Sequence, residues 1–486
     1  MRTSVLQAPA AIVAPPQPHD PARARRAPES RARLDAAVRL AAGSALWLSL
    51  LLLATWWVAD GGVQELGEWP RALTSMGRLT ALFASGLLLA QVLLMARVPL
   101  LERAFGQDRL ARLHRLTGLS SFSLLMAHIA LITLGYAGGS LLQAPATLWN
   151  LTWDYPGMLL AVAGAGCLTM VVATSVRAAR RRLRYESWHL LHLYAYLGVG
   201  LALPHQLWTG EQFLASTART VFWWTAWGLV AGSVLVWRLG LPAWRSLRHR
   251  LVVTSVVPEA DGVVSVYLTG RRMDRLRVEA GQFLNWRFVG TPGAPRPGRS
   301  RAHPYSLSAA PDGRSLRITV QARGDGSADV ARLEPGARAW IEGPYGRLTP
   351  RARTRDRVVL IGAGVGIAPL RALAEGLDYR PGEAVVLHRH TAAPLFAREW
   401  GALSAERGLR VLDLPGRRRA PDSWLGSGTP SDPAADDLTV LLSWVPELLD
   451  SDVYVCGPLG WMALVRRTLE AAGLANSQLH FETFDW

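Results

Sequence analysis

Four histidines lie inside two apolar stretches of the chain, His114 and His128 in one and His192 and His205 in the other. Ionisable side chains at membrane depth are functional candidates by default. At a helix rise of about 1.5 Å per residue, each pair spans roughly 20 Å, which suits two centres stacked across a hydrocarbon core of about 30 Å. Imidazole is a common axial ligand of haem iron. Matching depths therefore predict two haems, one held by His114 and His192 and the other by His128 and His205.

Helix geometry treats the two pairs differently. In an ideal helix His114 and His128 fall about 40° apart, whereas His192 and His205 fall about 140° apart. Because proline removes a helical hydrogen bond, we expect the second helix to be distorted near Gly200–Pro204. A single intramembrane histidine is more often a packed, hydrogen-bonded residue, but four at matched depths favour haem ligation.

Composition indicates a membrane protein with a soluble remainder. Half of the 486 residues are hydrophobic, the net charge is +16, and every basic residue is arginine. The arginines of the first half cluster between apolar spans, which argues for membrane lipid and against nucleic acid as a partner. Two cysteines provide no disulfide framework, which is compatible with a reducing compartment. Six spans are predicted, near residues 36–59, 77–96, 113–136, 156–176, 188–208 and 219–239.

Charge on the connecting segments predicts the orientation. Residues 97–115 and 177–184 hold five arginines each, whereas residues 137–155 hold none. By the positive-inside rule both termini face the cytoplasm. The all-arginine, alanine-rich composition is typical of a bacterial genome, so we expect a multi-pass protein of the bacterial inner membrane.

The chain beyond the spans changes character twice. Short alternating segments broken by glycine and proline predict an antiparallel β-barrel over residues 246–350. Alternating strands and helices over residues 351–486 predict an α/β domain with a parallel sheet, in which residues 415–438 are expected to form a surface loop. The predicted fold class is a membrane all-α six-helix bundle over 36–245, after a disordered tail over 1–35, followed by these two domains.

The predicted barrel contains residues suited to a flavin. One short strand combines an aromatic ring, two hydroxyls and two potential cations: Arg301, His303, Pro304, Tyr305, Ser306, Leu307 and Ser308. The ring can lie against an isoalloxazine while a hydroxyl approaches its N5. Downstream, Arg323, Gly326 and Ser327 lead into a predicted helix whose backbone N–H groups would receive a pyrophosphate. Together these segments predict an FAD site.

Two further motifs predict a nicotinamide site. A glycine turn after a strand opens a predicted helix, where the backbone can approach a pyrophosphate; its residues are Gly362, Gly364, Gly366 and Pro369. Arg389 follows the next strand with no carboxylate beside it, which favours NADPH, with NADH possible. The last strand ends at Cys456, Gly457 and Pro458, where a small thiol can adjoin a nicotinamide ring. The alternative is a buried structural cysteine.

These motifs, in this order, resemble the ferric reductase and NADPH oxidase family of transmembrane flavocytochromes, whose C-terminal half is similar to ferredoxin–NADP reductases. The resemblance covers residues 40–486 and implies two b-type haems, FAD and a nicotinamide dinucleotide. Glu482-Thr-Phe484 is similar to the family's terminal motif, whose aromatic ring covers the flavin. Because the chain continues to Trp486, that role falls to either Phe484 or Trp486. Ile132 stands where the animal oxidases carry a further histidine, and residues 209–218 form a shorter outer loop, so dedicated superoxide production is not implied.

The expected activity is that of an NAD(P)H-dependent oxidoreductase that moves electrons from cytosolic NADPH, through FAD and two haems, to ferric iron or oxygen outside. Cys456 with Phe484 or Trp486 would adjoin the reacting rings. One alternative is a quinone-linked or partner-linked electron-transfer module that serves a periplasmic redox protein. Another is a six-span channel fused to a redox sensor, in which the histidines relay protons.

Overall fold

The computed structural model describes residues 21–180, 185–290, 302–432 and 434–482. They form two compact units, a helical unit over Ala36–Arg238 and a second unit that begins at Leu239. A π-helical segment, Val234–Gly240, follows the last long helix of the first unit. The helices up to that point are α1 (Pro21–Ala59), α2 (Trp69–Leu94), α3 (Pro99–Phe105), α4 (Gln107–Tyr136), α5 (Ala144–Asp154), α6 (Met158–Ser175), α7 (Arg177–Arg180), α8 (Tyr185–Trp208), α9 (Glu211–Leu214) and α10 (Thr217–Ser233).

Five helical segments in the described part of the chain are long and apolar enough to cross a membrane. The predicted span at 188–208 falls in α8, which has 24 residues but carries polar side chains, including His192, His205 and Gln206, that lower its mean hydropathy. Helix α8 also continues through Pro204, so the expected distortion does not interrupt it. The five segments are Arg33–Ala59, Trp69–Leu94, Arg109–Tyr136, Met158–Ser175 and Thr217–His249.

Two regions of the first unit differ from the sequence-based expectation. Helix α1 begins at Pro21, inside the stretch expected as a disordered tail. The outer segment expected at 137–155 contains α5, which exposes Trp149 and Trp153. Such tryptophans suit a membrane interface, where an amphipathic ring has both apolar and polar surroundings.

The helices of the first unit pack in pairs, α2 along α4 and α6 along α8. Small residues permit close approach: a Cβ added at Gly164 would lie 2.8 Å from the carbonyl oxygen of Gly198, and one added at Gly77 would lie 2.9 Å from the Ile132 side chain. Interfaces of this kind are common between membrane helices, because small residues allow the backbones to meet.

The second unit opens with α11 (Leu241–His249) and an antiparallel sheet. Its strand order is β4-β3-β6-β1-β2-β5, and a further bridge joins Leu307, after β4, to Ile318 of β5. Alternate side chains form an apolar core around Trp286 and Leu284. The elements are β1 (Leu251–Ala260), β2 (Val263–Thr269), β3 (Phe283–Val289), β4 (His303–Ser306), β5 (Ser315–Gln321), α12 (Asp325–Val330) and β6 (Arg338–Tyr345).

A parallel sheet completes this unit, with strand order β11-β10-β7-β8-β9. Successive residues of β7 face opposite cores: Leu360 packs with α13 and α14, whereas Ile361 packs with α15 and α16. Both faces are therefore covered, as expected for parallel sheets. The elements are β7 (Arg357–Ala363), α13 (Ile367–Gly376), β8 (Ala384–His390), α14 (Ala397–Arg407), β9 (Arg410–Pro415), α15 (Asp437–Trp444), β10 (Ser451–Cys456), α16 (Leu459–Ala471) and β11 (Leu479–Phe481).

The expectation of a surface loop over 415–438 is wrong for its middle. Trp424 and Leu425 are fully buried in the core beneath α15 and α16. Asp437 accepts a hydrogen bond from the backbone N–H of Trp424 at 2.8 Å. The segment is irregular because its polar residues fold back on the backbone, while its two large apolar side chains fill the core.

Candidate functional site

Two of the predicted haem ligands are anchored by the neighbouring helix. His114 donates its Nδ1–H to the carbonyl oxygen of Gln91 at 3.0 Å, and His128 donates in the same way to Gly77 at 2.9 Å. The two histidines are fourteen residues apart on α4, and their acceptors are fourteen residues apart on α2 in the opposite direction. Both therefore occupy the same position in one helix–helix register.

The two histidines of α8 are held by hydroxyl groups. His205 Nδ1 lies 2.5 Å from Thr209 Oγ1, whose own hydrogen is donated to the His205 carbonyl at 2.8 Å. His192 Nδ1 lies 3.3 Å from Ser175 Oγ, and its ring packs against Trp188 with 5.0 Å between ring centres. In all four histidines Nδ1 is engaged, which leaves Nε2 as the nitrogen available to a metal, as in histidine metal ligands.

The fold brings the predicted pairs together. The ring centres of His114 and His192 are 6.0 Å apart with 64° between the ring planes, and two nitrogen–metal bonds of about 2 Å each fit that separation. His128 and His205 are electrostatic neighbours. Within the described ranges, no group of three or more His, Cys, Asp or Glu side chains converges as a metal site.

The predicted flavin strand is β4. Tyr305 is partly buried, which raises its pKa to about 12, and its carbonyl accepts a hydrogen bond from the indole of Trp286 at 3.0 Å. The hydroxyl oxygen of Ser306 is buried and has no hydrogen-bond partner among the residues that the structure describes. A buried unpaired hydroxyl carries a free-energy cost and fits a position that a ligand completes. Ser308, in contrast, is fully buried and held by protein hydrogen bonds.

The second flavin segment adjoins the first. A Cβ added at Gly326 would lie 2.6 Å from Nε2 of His303, so the two flavin segments meet at this point. The backbone N–H groups of Arg323 and Gly324 donate to Ser327 Oγ at 2.8 and 3.1 Å. Ser327 thus holds the two residues that precede α12, while the pyrophosphate was expected at the N–H groups of the helix itself.

The nicotinamide motifs meet at the carboxyl edge of the parallel sheet. Gly362 of β7 is in register with Cys456 of β10 on one side and with His388 of β8 on the other. A Cβ added at Gly366 would lie 2.6 Å from the Cys456 carbonyl oxygen, and Gly364 adopts a φ of +56°. Glycine is required at both positions, because a side chain would block the turn or strain it. Pro369 lies in the first turn of α13, as predicted.

Cys456 is buried. Burial is the larger cause and the nearby Glu482 carboxylate the smaller cause of the raised pKa of its thiol. A Cβ added at Gly346, after β6, would lie 2.6 Å from a Glu482 carboxylate oxygen. Glu482 thus brings the antiparallel sheet next to the end of β10. Gly457 is equally confined, since its Cβ would lie 2.8 Å from the Trp461 ring, and Pro458 caps α16. Phe484 and Trp486, the predicted flavin-covering rings, lie outside the described residues.

The end of β8 carries an unusual basic and imidazole cluster. The pKa of Arg389 is lowered, mainly by burial and to a smaller extent by the nearby charge of Arg418. Arg389 Nε is buried without a hydrogen-bond partner in the described chain. His388 is fully buried, and both of its ring nitrogens lack a hydrogen-bond partner within the same ranges. The His388 pKa is lowered from 6.5 to about 3, mainly by burial and to a smaller extent by the neighbouring His390.

Sequence analysis missed a set of buried charges between the two sheets, which we name the charge quartet: Arg317, Arg371, Glu375 and Glu399. Arg317 donates to both carboxylate oxygens of Glu399, at 2.7 and 2.9 Å. Arg371 contacts the same carboxylate and donates to Glu375 at 2.5 Å. Arginine in a strand and glutamate in a helix are ordinary surface residues, so no sequence signal pointed to these contacts.

A known family model matches the helical part of the chain. Residues 80–203 match the family model of the ferric reductase like transmembrane component. This match contains three of the four histidines and ends just before His205.

Curated relatives and solved structures match about half of the chain. The flavohemoprotein of Pseudomonas putida is 29% identical over 253 residues, 50% of this chain and 60% of the relative. That of Vibrio cholerae is 31% identical over 195 residues, 37% of this chain and 45% of the relative. A crystal structure of the flavohem-like FAD/NAD binding domain of a nitric oxide dioxygenase from Vibrio cholerae is 27% identical, with a TM-score of 0.37, covering 49% of this chain and 99% of that one. The chain spans about 60% of the length of the first relative.

The chain therefore joins a ferric reductase-like transmembrane domain to a C-terminal half similar to flavohemoprotein and ferredoxin reductases. This combination matches a ferric reductase-like flavocytochrome, in agreement with the resemblance seen in the sequence.

Proposed function

We propose that the protein is an NAD(P)H-dependent oxidoreductase that transfers electrons from cytosolic NADPH, through FAD and two b-type haems, to ferric iron or oxygen on the other side of the membrane. The observation that carries this proposal is the set of four intramembrane histidines, each with Nδ1 hydrogen-bonded inside the protein. Carbonyl acceptors fix the Nδ1–H tautomer of His114 and His128, and in all four residues the engaged Nδ1 leaves Nε2 for a metal.

The histidines fit haem as a ligand set. His114 with His192, and His128 with His205, would hold one haem each, and a haem supplies one-electron transfer that needs no proton within an ion-excluding layer. The protein's contribution is orientation. Backbone carbonyls of α2 fix the two imidazoles of α4, while Ser175 and Thr209 fix those of α8.

The second unit fits a flavin and a nicotinamide dinucleotide. FAD would convert a two-electron donor into one-electron steps, and Ser306 offers a hydroxyl that the protein leaves unpaired. The glycine turn after β7 would admit a pyrophosphate. Arg389 and Arg418, two cations held close together, suit the 2′-phosphate of NADPH, because an anion between them relieves their repulsion. Cys456 would adjoin the nicotinamide ring, and Phe484 or Trp486 would cover the flavin.

We further propose that α8 is a sixth membrane span and that the antiparallel sheet is a closed barrel. Helix α8 has 24 residues, long enough for a core of about 30 Å. The bridge between Leu307 and Ile318 joins the two edges of the sheet. Clustered arginines at 97–115 and 177–184 support cytoplasmic termini in a bacterial inner membrane.

An anaerobic visible spectrum of the purified, FAD-supplemented protein, before and after NADPH, tests the proposal. We expect b-type haem bands that NADPH reduces, and we expect His114→Ala and His128→Ala each to lose one of two haems. Ferric chelate or air, admitted to separate cuvettes, identifies the faster acceptor by the rate of haem reoxidation. Protein that contains no haem after purification, and that binds none when haem is added, would refute the proposal.

A further inference from the structure

The charge quartet holds the chain segment that directly follows the flavin strand. The Ser308 carbonyl oxygen accepts hydrogen bonds from Arg317 at 2.6 Å and from Arg371 at 3.3 Å. Ser308 Oγ accepts a third from Arg317 at 3.1 Å. The backbone N–H of Ala310 donates to Glu375 at 2.7 Å. This segment is thereby fixed by side chains from strand β5 and from helix α13.

The other side of the charge quartet belongs to the nicotinamide motif. Arg371 and Glu375 lie on α13, the helix that opens directly after the glycine turn at 362–366. Glu399 lies on α14, which packs against the same face of the parallel sheet. Only one residue separates Ser306, with its unpaired hydroxyl, from Ser308. The charge quartet therefore connects the two places where the reacting rings of the proposed function would lie.

Stability alone is a poor explanation for this arrangement. The side chains of Arg317 and Arg371 are 5% and 4% exposed, and removing such charges from water carries a large free-energy cost. Apolar side chains of similar volume would hold the two sheets together at least as well. Charge-assisted hydrogen bonds add direction, since a guanidinium fork meets a carboxylate in one geometry.

The electrostatics are balanced within the charge quartet. Burial would raise the pKa of Glu399, but hydrogen bonds and charge from Arg317 and Arg371 outweigh it, and the pKa lies below its ordinary value. Burial and the charge of Arg317 lower the pKa of Arg371, so the two guanidinium groups need both carboxylates. Neutralising Glu399 leaves Arg317 and Arg371 facing each other, and the segment at 308–310 loses its fixed partners.

We propose that the charge quartet is a positioning network that sets the geometry between the flavin strand and the glycine turn, and so sets the rate of flavin reduction. This inference rests on the proposed function. In that step a hydride, a proton with two electrons, leaves C4 of the nicotinamide and bonds to N5 of the flavin; the dinucleotide is oxidised and the flavin is reduced by the same two electrons. A misplacement of about 1 Å can slow such a step by roughly 10²-fold.

Glu399→Gln tests the inference, with Glu406→Gln as its matched control. Glu406 is an exposed glutamate on the same helix, so the control makes the same chemical change away from the charge quartet. The first measurement is amide hydrogen exchange of the full-length protein over residues 303–310. We expect faster exchange in Glu399→Gln and wild-type exchange in Glu406→Gln, whether or not any nicotinamide is present.

The second measurement is anaerobic stopped-flow reduction of the bound flavin by NADPH. We expect Glu399→Gln to lower the limiting rate about 10- to 100-fold, with a larger isotope effect from C4-deuterated NADPH and with little change in the NADPH concentration at half-maximal rate. Dithionite should reduce the haems of both variants as in the wild type. Glu375→Gln keeps the Arg317–Glu399 pair but removes the acceptor of the Ala310 N–H group. We expect this variant to slow flavin reduction less than Glu399→Gln does. It replaces Glu399→Gln as the test variant if Glu399→Gln does not fold.

The outcomes separate the two proposals. If NADPH fails to reduce the flavin of the wild-type protein, the proposed function is wrong. If the wild type is reduced but Glu399→Gln and Glu375→Gln are as fast as Glu406→Gln, the positioning role is wrong. It is also wrong if exchange rises over 303–310 while the limiting rate is unchanged, because the charge quartet would then only stabilise the fold.

Discussion

At the scale of single residues, the four histidines differ in what holds them. Backbone carbonyls anchor His114 and His128, so no substitution of a neighbouring side chain removes their acceptors directly. Hydroxyl groups anchor His192 and His205. The ligands on α8 are therefore the ones whose orientation depends on individual side chains, Ser175 and Thr209.

Ser306 provides a residue-scale test of the flavin site. In flavin-free protein, Ser306→Ala removes a buried hydroxyl that has no partner in the described chain, so we expect unchanged stability or a gain of about 1 kcal/mol. FAD affinity is expected to fall about tenfold, because one hydrogen bond to the ligand is lost. Thermal unfolding and a FAD fluorescence titration measure the two effects. Ser315→Ala, which removes a hydroxyl bonded to Asp312, is the control; equal FAD affinity in the two variants would contradict the assignment.

His388 makes stability depend on pH. Its folded pKa of about 3 lies below the ordinary 6.5, so between these values the unfolded chain binds a proton that the folded chain does not. Stability is therefore complete above about pH 6.5 and falls as the pH drops towards 3, by up to about 1.4 kcal/mol per pH unit. We expect His388→Leu to flatten this dependence in thermal unfolding between pH 7.5 and 5.5. A variant as acid-sensitive as the wild type would show that another group is responsible.

The sequence predicts a candidate site residue where its residue type is unusual for the segment around it. Histidines within apolar spans and glycines between a strand and a helix carry such a signal. The charge quartet carries none, because Arg317 and Glu399 are 82 residues apart and only the packing of two sheets joins them. The hydrogen bonds from the N–H groups of Arg323 and Gly324 to Ser327 also depend on a rotamer, that of Ser327, which sequence does not reveal.

At the scale of elements, the helix pairs position the histidines. Helices α6 and α8 meet at Gly164 and Gly198, where each would-be Cβ falls against the other's backbone. Gly157, with a φ of +80°, lets the chain before α6 approach the backbone of His205. Glycine spacing thus sets how far the α8 ligands lie from the neighbouring helix.

A pair of glycine substitutions tests this role. Gly164→Ala places a Cβ 2.8 Å from the Gly198 carbonyl oxygen, so the helices must separate, at a cost of about 1–3 kcal/mol. Gly166→Ala, two residues further along α6, meets no atom within 4 Å in the described part of the chain. We expect the haem-to-protein ratio, measured by pyridine haemochrome, to fall clearly in Gly164→Ala alone. Equal ratios would mean that this crossing does not position the ligands.

Most elements could be predicted because periodicity is local. The alternation of β1 and β2 and the long apolar spans are visible in any short window of sequence. Strand β11 has three residues and strand β9 contains Arg410 and Asp413, so neither carries a clear pattern, and each is defined by pairing with its neighbour. Helix α8 shows the converse: the polar residues that indicate chemistry also weaken its signal as a membrane span.

At the scale of the whole molecule, charge is distributed unevenly along the chain. The arginine-rich segments at 97–115 and 177–184 alternate with arginine-free residues 137–155. A bilayer that imposes the positive-inside rule would place His114 and His192 towards the cytoplasm and His128 and His205 towards the outside. The order of the two centres relative to NADPH follows from that orientation.

Sidedness tests the whole arrangement. In inverted inner-membrane vesicles, which expose the cytoplasmic face, added NADPH is expected to reduce a membrane-impermeant ferric chelate trapped inside. Reduction of the trapped chelate should be abolished in His128→Ala, while NADPH still reduces the flavin. Wild-type vesicles that reduce only chelate added outside would reverse or refute the proposed path.

The shared register of α2 and α4 has a consequence for assembly. Because His114 and His128 are anchored at equivalent points of one antiparallel pair, sliding α4 by a single turn along α2 would remove both anchors at once. A group bound between His114 and His192 would hold that register, and the second centre would then already be shaped for its own ligand. Filling one centre would therefore favour filling the other, without being required for it.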